Sequence, residues 1–304
     1  MVKHPDVFDP AVRATFRAEL EGQIGSARSD PRVLGWSVDN EYNEIITRGE
    51  ITGILAKPAG TPAKRALLGY AVDRLYGGSV ADLARAWRIS AGDRASLYGL
   101  SPVPPAADLD KLRCFYADRY YAFIYQTVRS IDPNHLYLGF WIMPEWWQSE
   151  EDWRLIARHC DVIGYDRYAQ EYASPLLARL QAETNKPTLC GEFSFPPYYE
   201  GQRGFARFQV SSRNDADAGD MYHRWVEAAA KDPYCVGQII FEYRDQPLTG
   251  RGPGHGVRLT FGEHFAFGLV TETDRPKWDM VRRVHAANLN AAKWRLEAST
   301  RQPR

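Results

Sequence analysis

The feature that most constrains this chain is an alternation, kept up through its second half, of short apolar runs rich in β-formers with segments of helical spacing. The strand-like runs are HLYLGFWI (135–142), DVIGYDRY (161–168), KPTLCGEFSF (186–195) and CVGQIIFEY (235–243). The segments SEEDWRLIARHC, PLLARLQAETN, ADAGDMYHRWVEAAAK and PKWDMVRRVHAANLNAAKWRL that follow them have the periodicity of helices. Near-continuous apolar strands separated by helices are the mark of a parallel sheet covered on both faces. An earlier run, VLGWSVDNE (33–41), has the same character and brings the strands to five. Before it, Asp9 and Pro10 open a helix that stops at the turn Ser29-Asp30-Pro31. After it, Pro58, Pro62 and Gly77-Gly78 punctuate a region of short helices, and the loop SPVPPAAD leads into a long helix through Leu112 to Ile131.

Every strand-like run ends in polar or aromatic residues. A barrel sets its catalytic residues at that edge, whereas a doubly wound sheet gathers ligands at one switch point and often begins with a Gly-rich turn. No GxGxxG or GxxxxGK[ST] follows any of the runs, so barrel topology is favoured. The 38 basic and 38 acidic residues cancel, which leaves no charge footprint for a phosphate backbone and argues against nucleic acid. Cys114, Cys160, Cys190 and Cys235 form no CxxC or Cys/His cluster and are expected as free thiols, with Cys160 and Cys190 acting as small hydrophobes beside strands. The opening MVKHPDVFDP has no apolar run of signal-peptide type, and no stretch of about 18 apolar residues occurs, so no membrane helix is expected.

Two glutamates stand at strand ends three βα steps apart, Glu41 in Asp39-Asn40-Glu41 and Glu192 in Gly191-Glu192. On one rim of a barrel they can face each other, the arrangement that glycosidic bond cleavage needs. One carboxylic acid protonates the leaving oxygen, while the other carboxylate attacks the anomeric carbon or activates water. Asn40 is placed to donate a hydrogen bond to a sugar hydroxyl. The competing reading makes either glutamate a solvated strand-end charge. The 9 tryptophans and 17 tyrosines suit stacking against sugars, although a large barrel core uses such rings as well.

The blocks VLGWSVDNEYN, GEFSFP, and FEYRDQPLTGR followed by FGLVTETDRPKWDMV resemble glycoside hydrolases of clan A, most closely the β-agarase-like enzymes (family 50) and their β-galactosidase-like relatives (family 42). The resemblance implies a (β/α)₈ TIM barrel of α/β class, with residues 1–304 a single catalytic-barrel domain. It makes Asn40-Glu41 the acid/base motif ending the fourth barrel strand and Glu192 the nucleophile ending the seventh. A retaining double displacement on β-galactosidic linkages is implied, with no metal or organic cofactor. The acid role needs Glu41 to hold its proton, through proximity to anionic Glu192. The substrate implied is an oligosaccharide or polysaccharide.

The same resemblance suggests that a tyrosine among Tyr165, Asp166 and Tyr168 touches the nucleophile or the sugar, although Tyr165 fits a core position equally. Trp141, Glu145, Trp146 and Trp147 lie at or just after the fifth strand, where tryptophans form a stacking platform. Core packing accounts for Trp141 as well. Asp245 opens the Asp245-Gln246-Pro247-Leu248-Thr249-Gly250-Arg251 loop after the last strand and is a substrate-contact candidate. His255 and His264, in that long loop, read as surface or locally hydrogen-bonded histidines.

Two departures from the family pattern follow. Agarase-like enzymes often have Trp-Phe-Gln on the last strand, where this chain has Ile240-Phe241-Glu242. A stacking ring is lost, and a carboxylate is gained that can bind a hydroxyl, pair with Arg244 or repel Glu192. By the family's count only strands 4 to 8 are present, an incomplete barrel lacking its N-terminal βα units. This leaves localisation unassigned, since a leader would sit on the missing part. It also raises the alternatives of an inactive carbohydrate-binding remnant or one half of a split glycosidase, completed by an N-terminal half or a homo-oligomer.

Overall fold

Where the sequence pattern places runs of β-formers, the computed structural model has five short strands among the described residues, all paired in parallel. It describes residues 5–41, 45–144, 150–198, 211–250 and 264–301. The strands form two sheets, β1–β2 and β3–β4–β5, and no closed barrel is formed among the described residues. The chain divides into two compact units, Met1–Phe140 with Trp146–Asp161, and Trp141–Glu145 with Val162–Arg304.

The first unit is built on helices. α1 (Pro10–Ile24) starts where Asp9 Oδ1 accepts from Ala11 N and a proline occupies the first turn. The region punctuated by prolines and glycines resolves into α2 (Arg48–Leu55), α3 (Pro62–Tyr70), α4 (Val80–Trp87) and α5 (Arg94–Gly99). A Thr47/Glu50 capping box opens α2. α6 (Ala106–Ile131) buries Leu112, Tyr116, Tyr120, Ile124 and Val128 along one stripe at four-residue spacing, and it packs against α1, α2, α3 and α7 (Glu150–Ala157). Lys64 is buried with its Nζ donating to the carbonyls of Lys57 and Leu100, both at 2.7 Å, so it caps the chain ends that follow α2 and α5.

β1 (Gly35–Trp36) pairs with β2 (Leu136–Tyr137). Both strands are shorter than expected. The sequence pattern runs the first strand to Glu41, yet the backbone turns left-handed at Asp39 (φ 68°) and Glu41 (φ 51°), and a final contact, Val38 N to Gly139 O at 3.2 Å, closes the pairing. Asp132, fully buried between α6 and β2, ties the sheet to the helix. Its carboxylate accepts from Trp36 Nε1 at 2.8 Å and from the backbone N–H groups of Asn134 and His135, and lies 2.6 Å from His135 Nδ1.

In the second unit the sheet order is β3 (Ile163–Asp166), β4 (Thr188–Phe193), β5 (Cys235–Ile240), joined by α8 (Pro175–Thr184) and α9 (Asp215–Lys231), with α10 (Trp278–Arg301) packed on α9. Phe193 stacks on Trp225 at 5.2 Å and 4° and on Tyr222 at 5.5 Å and 27°, and Phe195 meets Trp225 edge-on at 5.7 Å. This aromatic stack holds α9 against β4. All four cysteines are free, with Cys160, Cys190 and Cys235 buried. No helix among the described residues is long and apolar enough to cross a membrane.

Burial alone would raise the Asp132 pKa, but the donors from Trp36 and His135 and the two backbone N–H groups outweigh it and bring the value from 3.8 down to about 2. A carboxyl whose folded pKa is depressed stabilises the protein above its unfolded pKa. That contribution is lost as pH falls from about 4 towards 2. Urea unfolding across this interval is expected to show the loss in the parent. In Asp132→Asn the slope should flatten, alongside a lower stability at neutral pH.

Candidate active site

An irregularity in β4 decides what this strand offers. β4 shifts register against both neighbours between Cys190 and Phe193, where Phe193 joins the aromatic stack on α9 and Glu192 stays half-buried. The residue before it has to be glycine. A Cβ on Gly191 would lie 2.6 Å from Trp141 Cδ2 and 2.8 Å from both Trp141 Cε3 and Asp166 Oδ1. The Gly-Glu pair therefore reflects an indole ring and a carboxylate pressed onto the strand.

Neighbouring β3 supplies the next groups. Its register sets Asp166 opposite Glu192, and Arg167 N donates to the Glu192 carbonyl at 2.9 Å. Carboxylate oxygens of Asp166 and Glu192 lie within 4.8 Å of each other, with Asp166 only 1% exposed. Tyr168 OH donates to Glu192 Oε2 at 2.7 Å. Of the two tyrosines considered from sequence, Tyr168 is thus the one that touches the carboxylate. Tyr165 is fully buried, with its hydroxyl pKa pushed well above the ordinary value chiefly by desolvation. Tyr168 packs on Phe267 at 6.1 Å, and Phe267 meets Phe241 at 5.4 Å and Phe265 at 5.3 Å. This aromatic wall went unnoticed in the sequence, although the run Phe265-Ala266-Phe267 next to a glycine was its available signal.

Trp141 belongs with Glu192 through its contact at Gly191. Its buried Nε1 has no hydrogen-bond partner among the described residues. Glu242 is half-buried after the cis peptide Phe241–Glu242, and Phe241 N donates to Phe193 O at 2.9 Å. Arg244, one partner considered for Glu242, pairs with Asp274 at 3.4 Å. Asp245 is buried and engaged by Lys277 Nζ at 2.6 Å and Gly268 N at 2.8 Å. Its place as a sugar contact thus competes with a structural ion pair that sequence reading missed, because Lys277 lies 32 residues downstream. Burial raises the Asp245 pKa and lowers that of Lys277, while each partner's charge acts in the opposite sense. His264 is buried, not at the surface, and its ring stacks on Phe265 at 5.9 Å. Glu145, Trp146, Trp147 and His255 lie outside the described residues.

On the first unit, Asn40 is exposed and Glu41 half-buried, and Tyr120 OH from α6 donates to Asp39 Oδ2 at 2.7 Å. Six non-glycine residues have positive φ among those described. Arg88 and Asn185 are helix C-caps and Asp274 sits in a turn. The other three are Asp39, Glu41 and Trp141, so left-handed backbone coincides with residues singled out on chemical grounds.

This chain is 28% identical to β-agarase A of Vibrio sp. (strain JT0107) over 290 residues, which is 86% of the chain and 27% of that protein. It is 26% identical to β-agarase B of the same organism over 299 residues, 93% of the chain and 30% of that protein. The solved structure of an exo-β-agarase superposes with a TM-score of 0.79 at 27% identity, over 96% of this chain and 39% of that one. The chain is β-agarase-like. It spans less than a third of the curated relatives it matches. The β-agarase-like chain also shares its fold, at 13% identity and a TM-score of 0.59, with a β-galactosidase from the Antarctic haloarchaeon Halorubrum lacusprofundi. No protein-family model matches.

Two substitutions test the packing of this site. Gly191→Ala should cost about 1–3 kcal/mol by overpacking against Trp141 and Asp166, read by urea unfolding and by a shift in tryptophan fluorescence. Lys277→Ala should cost about 3–5 kcal/mol by leaving the Asp245 carboxylate buried without its cation. Combining Lys277→Ala with Asp245→Ala should restore part of that loss.

Proposed function

We propose that this β-agarase-like chain is the catalytic part of a retaining glycoside hydrolase that cleaves β-galactosidic linkages, in agar-type oligosaccharides or simple β-galactosides. Glu192 is the nucleophile and Glu41 the acid/base. The reading is carried by the 2.7 Å hydrogen bond from Tyr168 to Glu192 Oε2, on a strand whose glycine and phenylalanine fix where that carboxylate points. A donor held on one oxygen orients the carboxylate and leaves the other to attack the anomeric carbon.

In the first step Glu41 protonates the glycosidic oxygen as Glu192 Oε1 bonds to the anomeric carbon and the leaving alcohol departs. In the second, Glu41 takes a proton from water, whose oxygen displaces Glu192 and restores the starting configuration. This chemistry calls for carboxyl groups about 5 Å apart. Asn40 donates to a sugar hydroxyl, Trp141 offers its indole to the ring, and Glu242, standing where related enzymes often have an amide, accepts from a hydroxyl. Tyr165 and Asp245 act from the interior by positioning Tyr168 and the loop after β5. The single catalytic domain with strands 4 to 8 of a barrel is part of the same proposal.

With an aryl β-galactoside carrying a good leaving group, Glu192→Ala should lower kcat by about a thousandfold or more, since no covalent intermediate forms. Glu41→Gln should be hit far harder on an agaro-oligosaccharide than on the activated substrate, because a stable leaving group needs no proton. Proton NMR of early product should show the β anomer. Parent-like turnover in both variants would sink the assignment, and tight calorimetric binding of agaro-oligosaccharides without turnover in the parent would favour a noncatalytic carbohydrate-binding role.

A further inference from the structure

Two consecutive residues after β3 hold Glu192, one by its backbone and one by its side chain. Arg167 N donates to the Glu192 carbonyl at 2.9 Å, and Tyr168 OH donates to Glu192 Oε2 at 2.7 Å. The second contact reaches across from a side chain, so its length depends on where the backbone at 167–168 stands. Strand pairing alone fixes that place poorly. β3 ends at Asp166, and its register against β4 shifts between Tyr165 and Asp166.

The Arg167 side chain supplies what the ladder lacks. It is 7% exposed, a degree of burial that arginine seldom reaches unless it is engaged. Its guanidinium lies 5.4 Å from the centroid of the Trp225 ring, the same indole that stacks on Phe193 at 5.2 Å. Arg167 and Phe193, on neighbouring segments, are thus both referred to one ring on α9. In addition, Arg167 Nη1 donates to the Tyr172 carbonyl at 3.0 Å and to the Glu171 carbonyl, which closes the segment 167–172 on itself. A planar guanidinium can lay its face on a ring while its in-plane N–H groups reach carbonyls, a combination the ammonium of lysine does not offer.

We infer that Arg167 is a positioning residue for the nucleophile: its clamp on Trp225 and on the carbonyls of Glu171 and Tyr172 sets the place of the Tyr168 hydroxyl, and through it the orientation of Glu192. The inference rests on the proposed role of Glu192. Arg167 touches no reacting atom. Its effect passes through the Tyr168 hydrogen bond, so removing that bond removes the route by which Arg167 acts.

The test is a double-mutant cycle of Arg167→Met with Tyr168→Phe, assayed on an aryl β-galactoside. Methionine keeps an unbranched stem and removes the donors and the charge. Arg167→Met should lower kcat about tenfold or more with KM within about twofold, the size expected when a reacting group is displaced by a fraction of an ångström. In the Tyr168→Phe background the same substitution should lower kcat less than about twofold, because the two residues act in series. Arg167→Lys keeps the charge without the fork; it should lower kcat about threefold or more, and it carries the test if circular dichroism shows that Arg167→Met does not fold. A second arm needs no turnover: with 3-fluorotyrosine at position 168, the fluorine NMR resonance should move in Arg167→Met or Arg167→Lys in the same direction as in Glu192→Gln. Parent-like kcat in the folded variants, an equal loss in both backgrounds, or an unmoved resonance would each overturn the inference. A parent without galactosidase activity would instead sink the reading of Glu192, and the fluorine signal would then decide the role of Arg167 alone.

Discussion

The contact between Phe193 and Trp225 governs how the second unit can present any chemistry. Two rings 5.2 Å apart and nearly parallel hold α9 on β4, and full burial of rings of this size contributes of the order of 2–3 kcal/mol each. Phe193 is committed to that side, and the irregularity of β4 between Cys190 and Phe193 leaves Glu192 half-buried beside Tyr168. A shift of one residue in β4 would place the carboxylate in the aromatic core and the ring at the site. Register is therefore set by burial, and the position of the acid follows from it.

Around that fixed carboxylate the neighbours act in layers. Gly191 has no side chain because Trp141 and Asp166 occupy the space a Cβ would take. Tyr168 reaches Glu192 from the end of β3, and the Phe267 wall keeps its ring in place. Below, Lys277 and Asp245 form a buried pair that also engages Gly268 N and the Ala266 carbonyl, anchoring the segment that supplies Phe265 and Phe267. At Gly268 a Cβ would fall 2.3 Å from Asp245 N, so this anchor too depends on a missing side chain. Such an arrangement fixes the Glu192 side chain through the packing of its neighbours.

How much of this could be read from the chain depended on the range of the interaction. The strands and helices declare themselves through local periodicity, and the long helix α6 and the α7–α10 series sit where the sequence put them. Strand ends were read too long, because apolar character persists past Trp36 and Tyr137 although the backbone turns at Asp39 and Gly139. Glu192 stands out in the sequence only as one of several carboxylates near the ends of apolar runs, with Glu41, Asp166 and Glu242. Lys277, Phe267 and the pressure of Trp141 on Gly191 were hidden, since each is a contact between positions far apart in sequence with no local pattern to announce it.

The open side of β5 shows the same principle from the other direction. Local pattern made CVGQII an interior strand, and the structure gives it one neighbour among the described residues. Sequence encodes the environment a strand is built for, whereas coordinates report the partners within this chain. A parallel strand cannot be joined to its neighbour by a tight hairpin and needs a crossover of a dozen or more residues, usually helical. Both crossovers of the β3–β4–β5 sheet obey that rule, α8 between β3 and β4 and α9 between β4 and β5.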